Sequence, residues 1–104
     1  MTTNTPYSAD VTSKILNSSI DKWGEDLQLI IAMEECGELT RAISKVLRGK
    51  EGAIANVIEE VADVQIMIEQ ITFVLERRGL SNARECIEEQ RQQKLRRTVE
   101  RLVK

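Results

Sequence analysis

Histidine is absent from this chain, proline occurs once, at Pro6, and cysteine twice, at Cys36 and Cys86. Without histidine, a zinc site of the usual Cys/His type cannot be assembled within one chain, and the Glu-x-x-His pairs of a ferritin-like di-iron bundle are excluded. The two cysteines read as reduced core thiols, since free cysteine generally behaves as a small buried hydrophobe. Aromatic residues are nearly as scarce, with one Tyr, one Trp and one Phe. No apolar run approaches the roughly 20 residues that a membrane-spanning helix needs. The polar opening MTTNTPYSAD lacks a signal-peptide core, so a cytoplasmic protein without a membrane partner is expected. The net charge of −2 lacks the basic excess of proteins that grip nucleic-acid polymers through phosphates, so no such polymer is expected as a partner either. With 41% hydrophobic and 31% charged residues the composition is that of a folded domain and not of a disordered chain. A length of 104 residues suffices for one core and not for two.

Sparse punctuation by Gly24, Gly49, Gly52 and Gly79 leaves room for four helices. The apolar spacing predicts them over about residues 10–22, 25–47, 53–78 and from Ser81 or Asn82, as N-cap, to about 102. The loop RGKEG supplies glycines that can take left-handed conformations between the second and third helices, and Gly79 is a candidate C-terminal cap for the third. β-Branched residues are common in VIEEVADVQIMI, but they recur at the helical i, i+3, i+4, i+7 spacing and not in alternation. An all-α protein is expected, with residues 1–9 as a flexible N-terminus and 10–104 as a single helical domain.

Two stretches, AMEECGEL at 32–39 and VIEEVADV at 57–64, carry carboxylates where a core face should be. At 100° per residue, Leu27, Ile31, Ala32, Leu39, Ala42, Ile43 and Val46 form the apolar sector of the second helix. Glu35 and Glu38 lie within that sector, Glu34 just past its edge, and Arg41 on the opposite arc. On the third helix the inner face is Ala53, Val57, Val64, Met67, Ile68, Ile71 and Leu75, with Glu60 near its middle and Asp63 at its edge. An isolated inward carboxylate costs several kcal/mol in principle, or else takes up a proton. Two i, i+3 pairs therefore need compensation, either by inward Lys or Arg or by a divalent cation. The basic residues of these helices fall outward or at the ends, and hard cations such as Mg²⁺ and Mn²⁺ suit oxygen ligands from two facing helices.

The pattern EECGE, with Glu34, Glu35 and Glu38, followed by EEVAD, with Glu60 and Asp63, resembles the E-E-x-x-E…E-x-x-D signature of the MazG-like nucleoside triphosphate pyrophosphohydrolases, the all-α NTP pyrophosphatase superfamily. All five motif positions hold the family's residue, and KWGEDLQL and KLRRTVERL extend the similarity over most of the chain from about Ser18. The resemblance implies a four-helix MazG-like bundle and Mg²⁺-dependent hydrolysis of a (d)NTP to (d)NMP and pyrophosphate, with Mn²⁺ as a possible substitute. Glu35, Glu38, Glu60 and Asp63 would ligate the metal, and Glu34 would support them or orient the attacking water. It further implies that the basic residues of the last helix, Lys94 and Arg97, reach the triphosphate; a merely solvated basic face is the plain alternative. Trp23 could stack on the base and Gln28 could hydrogen-bond a base or sugar edge, although packing between helices would equally account for Trp23.

Two other readings keep the same helices: a non-catalytic interaction module of MazG-like fold, and a plain bundle whose inner acids are only solvated. Five intact acids on a core face favour the enzyme. A second apolar stripe on the third helix, Ile58, Ala62, Ile66 and Phe73, lies opposite Glu60 and would be exposed in a monomer. A helix apolar nearly all round is usually buried on both sides, so a homo-oligomer, a dimer or a tetramer, is expected.

Overall fold

The computed structural model describes residues 5–104; the first four positions of the expected flexible N-terminus lie outside the described residues. Residues 5–8 carry no regular structure, and from there the chain is helical, with no strand among the described residues. The helices are α1 (Ala9–Trp23), α2 (Glu25–Leu47), α3 (Ala53–Arg77) and α4 (Ala83–Leu102). The all-α class expected from periodicity is therefore present. α1 starts one residue earlier than the spacing suggests, because Ser8 accepts a hydrogen bond from the Val11 amide at 3.1 Å and so caps the first turn.

Gly24 alone separates α1 from α2. Its amide donates to the Ile20 carbonyl at 2.8 Å, closing α1, and its carbonyl accepts from the Gln28 amide at 3.3 Å, opening α2. Such a one-residue junction needs φ +90° with ψ 157°, a region that is nearly glycine-only. α2 ends in a Schellman motif, with Gly49 N–H bonded to the Val46 carbonyl and Lys50 N–H to the Lys45 carbonyl, both at 3.0 Å. The same pair of bonds closes α3, from Gly79 to Glu76 and from Leu80 to Leu75.

The helices fall into two compact units, one ending at Ile71 and the other spanning Thr72–Lys104. The first contains α1, α2 and most of α3. Its core is small: Leu16, Ile20, Ala32, Ala42 and Ala53 are buried, together with Gln28 and Gln70. Gln70 of α3 is 1% exposed and donates through one amide nitrogen to both the Leu16 carbonyl of α1, at 3.2 Å, and Oε1 of Gln28 on α2, at 3.1 Å. A single amide thus ties three helices and sets their mutual register.

In the second unit Phe73, Val74 and Ala83 are buried. Phe73 is only 8% exposed, with the Arg84 guanidinium lying 5.7 Å from its ring centroid. This corrects the expectation that Phe73 continues an exposed stripe, because the first turn of α4 supplies a cover that a wheel of α3 alone cannot reveal. Ile58, Ala62 and Ile66 of that stripe are exposed, Ile58 to 66%. Leu27, Ile43 and Ile68, assigned to inner faces by periodicity, are also exposed, since the helices of this unit leave one flank of each uncovered. No helix among the described residues is long and apolar enough to cross a membrane.

Candidate metal centre

The candidate site lies on α2 and α3 in the first unit. An i, i+3 offset on α3 places Glu60 and Asp63 one turn apart, and α2 presents Glu35 to both. The three residues each offer a carboxylate oxygen, and these oxygens lie within 4.8 Å of one another. Glu35 and Glu60 are half-buried and Asp63 is exposed, so the cluster opens to solvent on the Asp63 side.

Electrostatics set this group apart from ordinary surface acids. Burial first, then the charge of Asp63 and a hydrogen bond to it, then the charges of Glu60 and Glu38, hold the Glu35 carboxyl above its usual range. Every neighbour in that account is a carboxylate. Oε2 of Glu60 is buried and has no hydrogen-bond partner among the described residues. A buried carboxylate oxygen without a donor is costly, and a hard cation held by all three side chains would remove the cost together with the mutual repulsion. On this test the donor set, all oxygen and drawn from two helices, fits Mg²⁺ or Mn²⁺.

Glu38 behaves differently from the other predicted ligands. It is exposed and forms a charged hydrogen bond with Arg41 one turn further along α2. The outward placement of Arg41 on the wheel did not anticipate this pair, because a long guanidinium stem can bridge the arc between i and i+3. Glu38 remains close enough to raise Glu35 by its charge, but it is not one of the three convergent acids. Glu34 is exposed on α2.

The remaining predicted residues are not members of the cluster. Gln28 is 5% exposed, and its carbonyl oxygen is engaged by Gln70, so it serves the core of the first unit and presents no open edge. Trp23, at the end of α1, is 54% exposed with the Lys22 ammonium 5.2 Å from its ring centroid. Lys94 and Arg97 are exposed on α4 in the second unit. Cys36 is exposed and Cys86 half-buried, so the expected pair of core thiols is not found. Sequence reasoning missed the Gln70 node; a second glutamine at an otherwise apolar position of α3 was its only signal.

Comparison of the chain with protein-family models, with curated proteins and with solved structures yields no match. The resemblance to the MazG-like family therefore rests on the motif residues of the sequence alone.

Proposed function

We propose that this chain is a divalent-metal-dependent nucleotide pyrophosphohydrolase of MazG-like kind, converting (d)NTP to (d)NMP and pyrophosphate. The observation that carries the reading is the convergence of carboxylate oxygens of Glu35, Glu60 and Asp63 from two helices, together with the buried, unpartnered Oε2 of Glu60. These three residues would hold Mg²⁺. When bound, the ion supplies positive charge against the phosphate oxygens and the developing negative charge of the leaving group. The chain's own residues do the rest. Glu34, exposed on α2 beside Glu35, would orient a water and accept its proton as the water oxygen bonds to the α-phosphorus. The bond from the α-phosphorus to the bridging oxygen then breaks, and pyrophosphate leaves with the electron pair. Trp23, 54% exposed at the end of α1, is the candidate base platform.

The test is a panel of the common NTPs and dNTPs with Mg²⁺, scored for the order of product release. Pyrophosphate released as a unit is expected. Orthophosphate appearing first, with nucleoside diphosphate accumulating, would overturn the reaction assignment.

The non-catalytic interaction module is kept as a second reading because Ile54, Ile58 and Ile66 are exposed on α3 and because Arg41 already neutralises Glu38. Under both readings the exposed α3 stripe supports a homo-oligomer. Melting with and without Mg²⁺ separates them, since a ligand that binds only the folded state raises its melting temperature.

A further inference from the structure

The charges of α4 are sorted by face. On a wheel of about 100° per residue, an arc of about 160° centred on Ile87 holds Arg84, Arg91, Lys94, Arg97 and Arg101 and no acid. All four acids of the helix, Glu85, Glu88, Glu89 and Glu100, fall on the remaining arc, with Arg96 as the one cation among them. The basic arc is also the apolar one, since Ala83, Leu95 and Leu102 share it with Ile87. An apolar depression of about 520 Å³ lies along it, lined by Leu80, Ala83, Ile87 and Leu95, with Arg91 and Lys94 in its walls. Beyond Ala83 only Cys86 and Gln93 are even half-buried, so the face stands open. Two of the five cations are engaged inside the second unit: Arg84 lies 5.7 Å from the Phe73 ring centroid, and Arg91 bonds to Glu88 at 3.3 Å. Lys94, Arg97 and Arg101 form no ion pair among the described residues.

We propose that this face of α4 receives an acidic segment of a different protein, whose apolar side chains fill the depression at Ile87 while its carboxylates meet Lys94, Arg97 and Arg101. Charge complementarity selects the occupant, because the cations edging the depression repel a basic segment and attract an acidic one. The depression selects it further, since it takes apolar groups that protrude. A nucleic-acid strand brings phosphates but seats its bases on aromatic side chains, and α4 has none. A membrane surface fits less well for the same lack of aromatic anchors, and because a hollow at the centre of the face does not insert. A second copy of this chain does not offer the matching surface on α3. Glu60 and Asp63 are held in the cluster with α2, and Glu59 lies on a different arc of α3 from its exposed Ile54 and Ile58. The proposal depends neither on the metal reading nor on self-assembly.

Selection from a randomised peptide display library with the full chain as bait, followed by fluorescence anisotropy of the selected peptide, is the experiment. The expected selection is Asp and Glu flanking apolar residues, with binding that weakens as salt rises, since screening shortens to about 3 Å at 1 M. Lys94→Glu/Arg101→Glu and, separately, Ile87→Ser should each weaken that peptide by about tenfold or more, and circular dichroism checks that each variant keeps its helices. The selection itself and the salt series need no variant. A selection without acidic bias, or the same peptides enriched on the charge-reversed chain, overturns the proposal. Acidic peptides that bind Ile87→Ser as tightly as wild type would show a charge contact outside the depression, which overturns docking there. Single-stranded DNA or vesicles of anionic phospholipid bound through Lys94 and Arg101, with no acidic peptide selected, overturn the choice of partner.

Discussion

At the scale of single residues, Glu35 is where environment and chemistry meet. Its folded-state proton affinity is raised, so the folded state binds a proton more tightly than the unfolded chain does. The stability this contributes is complete below the ordinary carboxylate range and is lost as pH rises through the elevated value. Metal-free protein should therefore melt at progressively lower temperature as pH rises above the carboxylate range, and Glu35→Gln should flatten that slope and raise the metal-free melting temperature. Added Mg²⁺ should raise the wild-type melting temperature more at higher pH, since the ligands must lose their proton, and leave the variant unmoved. A variant as metal-responsive as wild type would remove Glu35 from the site. Asp63→Asn keeps shape and removes charge; it should cost more than about 100-fold in Mg²⁺-dependent turnover, above what loss of an outer supporting partner costs. Glu38→Gln should cost less, because its carboxylate is already committed to Arg41. Equal losses in the two variants, measured as kcat/KM, would place Glu38 on the metal after all. Gly24 offers a test free of site chemistry. A Cβ there meets no atom within 4 Å, so Gly24→Ala should destabilise through backbone strain alone, by about 1–3 kcal/mol in urea unfolding.

At the scale of elements, helix boundaries were legible in the sequence and side-chain partners were not. Four apolar periodicities, interrupted by Gly24, Gly49 and Gly79, locate the helices to within a residue or two, because the caps that end them are local events. The wheel also placed Glu35 and Glu60 inward and Asp63 at the edge of the inner face, and these are the acids that converge. It failed for Glu38, whose fate depends on how far one arginine stem can swing, and for Phe73, whose cover comes from the start of the next helix. It could not find the joint between Gln70, Gln28 and Leu16, because a polar residue at a core position has a meaning only once its partner is known. That joint carries a prediction. Gln70→Leu leaves the buried Gln28 oxygen without its donor but also removes the buried, unpartnered Oε1 of Gln70, so its net cost should fall below the roughly 1–3 kcal/mol of a newly orphaned group. Replacing both glutamines by leucine removes the orphan, so the double variant should be more stable than Gln70→Leu. A double variant that loses the sum of the two single costs would show that the amides do not act as a pair.

At the scale of the whole molecule, composition announced a folded protein and periodicity a helical one, yet the partition of charge along it was hidden in a net of −2. Residues 1–71 carry −6 and residues 72–104 carry +4, so the near-neutral total conceals two strongly opposed halves. The exposed apolar stripe of α3, Ile54, Ile58 and Ile66, is what an interface generally carries. If the chain assembles through that stripe, folding and assembly are coupled and stability depends on protein concentration. The melting temperature should rise with concentration for the wild type. Ile58→Glu separates the two contributions: Ile58 is exposed within one chain, so a charge there costs the isolated fold within about 0.5 kcal/mol, the range of ordinary surface substitutions. In an assembly the same charge would be driven into an apolar contact without a partner, at several times that cost. Calorimetry over a hundredfold concentration range should therefore give a rising series for wild type and a flat, lower one for Ile58→Glu, the two converging at the dilute end. A wild-type melting temperature independent of concentration, in a chain of monomer mass, would mean that the exposed α3 stripe is tolerated in water and marks no interface.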